Sequence, residues 1–376
     1  MIWLAFRLTL HNRTRLVVTL FGVVFSSYLT LTEVALYIGM MENATSLIRH
    51  SRADVWVASR GIRNFDFAKL FPEDRMKQIV SLPDVAWAKR IMLTWGFLKL
   101  PDGAQEQVEI IGYDPNDPVG GPWEMAEGRP DVVADGAKII LDESTGQRLG
   151  SLVLGSTWEV NDQKVRLSGL SRSVKTFTTA PVVFTSYSFA QAVSSDIARE
   201  ASTAFIAIKL RDVKATGRVV SHLHEVLRDN DVMSTRQFIK RTIYYWTAET
   251  GMGAAFCLTA ILGLVVGAGV IGQNVSANTM EHLAELATLK AMGASNAAID
   301  TIIVGQAFID ALGGYLIATV LAFMSRPILE EHGVSLAFHP SLVAGLLIFI
   351  LTVSGAVALF SVRRVRRLDP AIVFRG

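Results

Sequence analysis

Two carboxylates stand inside otherwise uncharged apolar runs: Asp310 within Thr301–Ser325 and Glu33 within Leu16–Met41. An ionisable group inside a membrane span costs about 2.5–3.5 kcal/mol on insertion scales, so its presence points to function. Asp310 lies near the middle of its run with Gln306 one turn away. A buried hydrogen bond is the main reading, with a contact that changes with state and a proton relay as alternatives. Glu33 lies close enough to the end of its run to reach water. His222 and His224, two apart on a predicted helix, point to different faces and do not suit a metal. The single cysteine, Cys257, excludes disulfides and Cys-based metal sites. No Gly-x-x-x-x-Gly-Lys-Ser/Thr loop, Gly-x-Ser-x-Gly elbow or His-Glu-x-x-His pair occurs. The expectation is a protein with no catalytic site, metal or cofactor of its own.

A different polar set points to docking. Asn278 and Glu281 have the spacing of a capping box, and the residues from Glu281 to Met292 read as a short helix that Gly293 is suited to end. Leu283, Leu286 and Leu289 recur every third residue, a predicted apolar stripe among Glu281, His282, Glu285 and Lys290. Two acids and one lysine do not favour anionic lipid, so the segment 278–293 predicts a protein partner.

Four apolar stretches position these groups, one near the start and three in the last third. Each is long enough to cross a bilayer. The predicted division is an interfacial helix (1–15), a first span (16–41), a mixed α+β inserted domain (42–245), a second span (249–275), the polar helix (278–293), a third span (298–325), a loop (326–340), a fourth span (341–362) and a basic tail (363–376). The first stretch exceeds the usual 7–15-residue core of a signal peptide, and Met41-Glu42-Asn43-Ala44 is a poor cleavage site, so it is expected to remain as an anchor. Arg7, Arg13 and Arg15 precede it with no acid. Arg363, Arg364, Arg366 and Arg367 follow the fourth span, with Asp369 and Pro370 beyond them. Short basic flanks stay in the cytoplasm, so both termini are expected inside and the inserted domain outside. Beside a membrane span the basic tail reads as a topology determinant rather than a nucleic-acid patch.

In the inserted domain, Ala53–Ser59 alternates like a half-buried strand and Glu73–Leu82 like a helix stopped at Pro83. Ile91–Leu100 and Val108–Tyr113 read as strands around a Pro101-Asp102-Gly103 turn. Lys138–Leu141, Pro181–Thr185 and Ala204–Leu210 read as further strands. Asp142–Leu149 reads as a short helix, and Trp158–Val160 with Lys164–Leu167 as a hairpin about Asn161-Asp162. Asp212–Asp229 has helical spacing through Val219, Leu223, Val226 and Leu227. Tyr244, Tyr245 and Trp246 suit an aromatic belt at the outer membrane surface, and a helix continuous through Phe238–Thr250 into the second span would couple domain to membrane. Within that span Gly263 and Gly267 form a small-xxx-small pair that permits close helix packing.

The segment His282–Gly293 (HLAELATLKAMG), followed by Ala294-Ser295, resembles the coupling helix of FtsX/MacB-type (type VII) ABC permeases. The tail Val362–Ala371 is similar to the basic, Asp-Pro-containing ending of that family. Likeness to the DevC-type permeases rests further on His50-Ser51-Arg52-Ala53-Asp54, Gln237-Phe238-Ile239 and Tyr245-Trp246. The resemblance spans the chain in layout and is most specific in its last third. It implies a bacterial inner-membrane permease that pairs with a second copy of itself and docks an ABC ATPase subunit, which binds ATP and Mg. ATP-driven motion would then be transmitted mechanically to the periplasmic domain. It further implies a periplasmic membrane-fusion adaptor and a TolC-like outer-membrane channel, for export of lipid, hydrophobic or other periplasmic substrates. MacB itself carries its ATPase on the same chain, so a separate ATPase subunit is expected here. The alternative is an FtsX-like, non-transporting signal transmitter that activates a periplasmic cell-wall hydrolase.

Overall fold

The first apolar run belongs to one uninterrupted helix, α1 (Arg13–His50), in a computed structural model that describes residues 6, 13–100, 103–194, 201–281, 285, 288–290, 292–331 and 333–366. At 1.5 Å per residue its 38 residues extend roughly 57 Å, well beyond the ~30 Å hydrocarbon core. The chain divides into two compact units, Met1–Gly39 with Gly253–Gly376 and Met40–Met252. Most of the predicted interfacial helix, 1–15, lies outside the described residues.

In the first unit, α1 is joined by three further helices long and apolar enough to cross a membrane, in Met252–Glu281, Asn296–Glu331 and Pro340–Arg366. Small residues set how closely they approach. A side chain at Gly263 would sit 2.8 Å from Thr30 Oγ1, and one at Gly267 would be 2.9 Å from Ser26 Cβ. The predicted glycine pair therefore packs the second span on α1 of the same chain, and Ser26 Oγ donates to the Gly263 carbonyl at 2.5 Å. Gly314 on the third span likewise faces Val23. The Tyr28 hydroxyl donates to Ser325 Oγ at 3.1 Å, and the Tyr315 hydroxyl to the Val343 carbonyl at 2.6 Å. Leu258, Ile261, Leu262, Val265 and Val266 face outward, as lipid-facing side chains do. The third helix continues through Pro327 to Glu331, where the sequence reading placed a loop from 326; an Arg326–Glu330 ion pair at 2.8 Å lies on that last turn.

The second unit is built on a ten-stranded sheet. Its strands are β1 (Val55–Ser59), β3 (Val85–Lys99), β4 (Gln105–Tyr113), β5 (Met125–Glu127), β6 (Lys138–Asp142), β7 (Thr157–Val160), β8 (Gln163–Ser171), β9 (Val182–Ser186), β11 (Phe205–Leu210) and β12 (Asn230–Ser234); β2 (Phe71–Pro72) and β10 (Ser202–Thr203) form a separate small pair. The order is β12-β1-β11-β3-β4-β9-β6-β8-β5, and β7 pairs with both β3 and β8. That last pairing closes β3, β4, β9, β6, β8 and β7 into a ring around Met92, Leu98, Ile110, Trp158, Leu167 and Val183. Closure removes sheet edges that would otherwise recruit other strands. The 15-residue β3 serves both halves: its first part pairs with β11 and its second with β4. Asn161 and Asp162, both at positive φ (45° and 63°), turn β7 into β8 as predicted.

Three expectations for this unit change. All five residues of β1 are buried, because Trp56 and Ala58 pack with Phe65, Phe205 and Phe238 on one face while Val55 and Val57 pack with Ile79, Ile208 and Val219 on the other. Val226 is 47% exposed, while Val219 and Leu223 carry the buried face of the helix Thr216–Val226 and Leu227, just past its end, is also buried. The segment between Phe238 and the second span is not one helix. The helix Thr235–Tyr244 widens into a π turn at Tyr245–Glu249 and stops, and Gly251 at φ +76° separates it from Met252.

Candidate functional site

The connection between the second and third spans is the segment the sequence marks for docking, and four of its described exposed residues share one helical spacing. Helix Met252–Glu281 passes through position 278, so Asn278 stands inside that helix rather than ahead of a new one. Residues 285 and 288–290 are helical, and the run ends at Gly293 with φ +95°. The Gly293 N–H donates to the Lys290 carbonyl and the Ala294 N–H to the Leu289 carbonyl, both at 3.0 Å. These two bonds are the Schellman arrangement, which needs a left-handed residue that glycine supplies without steric cost. Ser295 then starts the next helix, its Oγ accepting from the Ala298 N–H at 3.2 Å.

Glu281, Glu285, Thr288 and Met292 are exposed and recur at i, i+4, i+7 and i+11, the spacing of one helix face. Lys290 is exposed beside them, and Met292 is 72% accessible. Leu289 does not face out: it packs against the buried cluster of Val23, Ile271, Val275 and Ile303. The predicted leucine stripe is thereby corrected at the one of its positions that is described, because Leu289 anchors the turn to the spans. His282, Leu283 and Leu286 lie outside the described residues. The fourth span remains helical to Arg366, so Arg363, Arg364 and Arg366 continue its axis. Arg367, Asp369 and Pro370 lie outside the described residues.

Asp310 is 4% exposed and Gln306 6%, both on the inward face of the third span with Ala307, Ala311 and Gly314. Asp310 thus faces the helical bundle rather than lipid. Glu33 is half-buried on α1.

The re-entry segment departs most from expectation. Trp246, assigned by sequence to a membrane-surface belt, is 7% exposed and held inside the second unit. Its indole Nε1 donates to Asp66 Oδ2 at 3.1 Å, and its ring stacks on Phe177 at a centroid separation of 3.5 Å. Tyr244 is exposed, and Arg63 pairs with Glu249 at 3.2 Å on the same turn. Sequence reasoning missed Asp66 and its buried companion Glu109. The available signal was an acid flanked by large apolar residues, Phe65-Asp66-Phe67 and Val108-Glu109-Ile110, with no cation immediately beside it in sequence.

Residues 257–370 match the family model of the FtsX-like permease C-terminal region, and residues 16–226 that of the MacB-like periplasmic core domain. Among solved structures, the chain is similar to the periplasmic region of MacB from Actinobacillus actinomycetemcomitans, at 18% identity over 52% of this chain and 95% of that one, with a TM-score of 0.38. It is also similar to the extracellular domain of the noncanonic ABC-type transporter YknZ from Gram-positive bacteria, at 10% identity over 48% and 98% of the two chains, with a TM-score of 0.35. No curated protein matches the chain.

Proposed function

The chain belongs to the FtsX/MacB-type family of ABC-transporter permeases, multi-pass membrane proteins with an inserted periplasmic core domain, and from that premise we propose how it works. It is a DevC-type permease subunit of the bacterial inner membrane, with both termini cytoplasmic, that receives ATP-driven motion from a separate ABC ATPase and passes it to the inserted domain. ATP and Mg belong to that ATPase. A second permease copy, a periplasmic membrane-fusion adaptor and a TolC-like outer-membrane channel complete an exporter of lipid, hydrophobic or other periplasmic substrates. The observation that carries the reading is the exposed row Glu281, Glu285, Thr288 and Met292, fixed between two spans by the Gly293 cap and the inward Leu289. Two features support mechanical transmission. The chain enters the inserted unit on the unbroken helix α1, and the span polar residues Ser26, Thr30, Gln306, Asp310 and Ser354 are buried between helices.

Co-purification from native membranes tests the docking. Glu285→Lys is expected to insert normally yet lose its ATPase, since breaking a charge pair that docking buries costs about 2–5 kcal/mol, a loss on the order of thirtyfold or more in affinity. Wild-type recovery of the ATPase with Glu281→Lys/Glu285→Lys would sink the assignment. Recovery of a cell-wall hydrolase in place of adaptor and channel would favour the signalling alternative.

Sidedness has its own test. In a Cys257→Ser background, an impermeant maleimide applied to spheroplasts is expected to label Val213→Cys, at a position 61% exposed in the inserted unit, and to spare Lys290→Cys until the membranes are opened. Labelling of Lys290→Cys in sealed spheroplasts would reverse the topology.

A further inference from the structure

Two carboxyls occupy the core of the inserted unit without a cation. Asp66 is 1% exposed and Glu109 0%. Asp66 accepts the Trp246 indole through its side chain, while its backbone carbonyl accepts from Trp95 Nε1 at 3.3 Å. Glu109 lies on β4 directly opposite Trp95 on β3, and neither of its carboxylate oxygens has a partner of good hydrogen-bond geometry. The Thr176 hydroxyl beside it gives its charge only slight support. Phe177 stacks on Trp246, and Phe67 covers it at 5.9 Å between centroids.

The surrounding charges are engaged elsewhere or turned to solvent. On the loop of Asp66, Arg63 pairs with Glu249 of the π turn and Lys69 is exposed. On β3, Lys89, Arg90 and Lys99 pair with Asp117, Glu73 and Glu159. On β4, Glu106 is bound by Arg148. Between β8 and β9, Arg172 pairs with Glu143, and Lys175 is half-buried beside Thr176. From the helix before the π turn, Arg241 pairs with Asp231. Among the described residues no cation pairs with Asp66 or Glu109.

We propose that Asp66 and Glu109 form a proton-binding site in the inserted unit, and that its occupancy controls how firmly the Trp246 segment, which leads into the second span, stays seated. Burial dominates at both acids. It lifts Asp66 from its ordinary 3.8 to about 6, against the opposing Trp246 hydrogen bond. It also holds Glu109 well above the glutamate range, with the Asp66 charge pushing the same way. Glu109 is therefore biased toward its protonated form, and Asp66 is the group that exchanges.

Unseating Trp246 admits water to Asp66 and returns its affinity for the proton to the ordinary value. The seated form binds that proton more tightly, so acid favours seating and alkali favours release. The effect is complete below about pH 4 and is lost as pH rises through about 6. Across this window the ratio of released to seated forms rises about a hundredfold, the ratio of the two proton affinities.

The test uses the full chain in lipid nanodiscs, labelled with fluorotryptophan, with the Trp246 fluorine resonance assigned by Trp246→Phe. In the wild type that resonance should titrate with a midpoint near pH 6, and in the isosteric Asp66→Asn it should stay flat. Independently, the infrared absorption of a protonated carboxyl should be present at pH 7 and disappear in Glu109→Gln. A wild-type Trp246 signal that does not titrate, a titration that survives in Asp66→Asn, or an unchanged carboxyl absorption in Glu109→Gln each overturns the proposal. The test concerns the inserted unit alone, and its failure would leave the ATPase-docking reading intact.

Discussion

Gly39→Ala is expected to destabilise the membrane unit by about 1–3 kcal/mol or more, the usual penalty for overpacking a tight contact. A methyl group at Gly39 points into the Ser335 carbonyl oxygen, with the carbonyl carbon 2.8 Å and the Ala337 nitrogen 3.3 Å away. Those atoms are backbone, so no side-chain rotamer relieves the clash. The obstacle is also pinned, because the Ala337 N–H donates to the Ala35 carbonyl one turn earlier on α1 at 3.0 Å. Accommodating alanine means moving the connection between the third and fourth helices off α1 and breaking that bond. Gly269→Ala is the control: nothing lies within 4 Å of its added methyl, and alanine is favoured over glycine in a helix by about 1 kcal/mol. Thermal unfolding of the purified full-length protein should show Gly39→Ala melting well below wild type and Gly269→Ala at or above it. Equal midpoints for wild type and Gly39→Ala would show that the loop is free to leave α1.

The same contrast explains what was legible in the chain. Hydropathy alone located the four spans, because an apolar run of that length has few other soluble outcomes. Asn161-Asp162 and Gly293 were legible because each needs a left-handed backbone, which few residues tolerate. Long-range partners were not legible. β12 (Asn-Asp-Val-Met-Ser) has little strand character of its own and is a strand because β1 pairs with it from Val55↔Ser234 to Ser59↔Asn230. Trp246 reads as an interfacial aromatic until Asp66, 180 positions earlier, supplies an acceptor for its indole. Leu289 belongs by period to a surface stripe, yet the turn that Gly293 closes directs it to the spans. Of the four positions exposed beside it, Glu281 and Glu285 are ones the sequence had already marked, while Thr288 and Met292 are not.

Asp142→Asn should be the most damaging isosteric change in the inserted unit, although it alters neither volume nor shape. Asp142 is fully buried at the end of β6 and accepts four hydrogen bonds. Oδ1 takes the Ser144 N–H at 3.0 Å and the Ser144 hydroxyl at 2.6 Å, while Oδ2 takes the Ser171 hydroxyl at 3.1 Å and the Val174 N–H at 2.9 Å. The carboxylate thus ties the turn after β6 to the end of β8 and to the loop that carries Thr176 and Phe177. An asparagine can present its oxygen to only one side. Either orientation aims the NH2 group at a backbone N–H, from Ser144 or from Val174, and a backbone donor cannot rotate away as a hydroxyl can. One buried amide then loses its acceptor and faces another donor, at a cost of about 1–3 kcal/mol, with a further share for the charge-assisted bonds that become neutral. The loss should appear as a lowered unfolding midpoint. Because the displaced loop holds Phe177 against Trp246, the fluorescence of that indole should shift red before the main transition. Asp142→Asn with wild-type stability would mean that water enters to supply the missing acceptor, and an unshifted Trp246 would mean that the loop is held at Phe177 without this carboxylate.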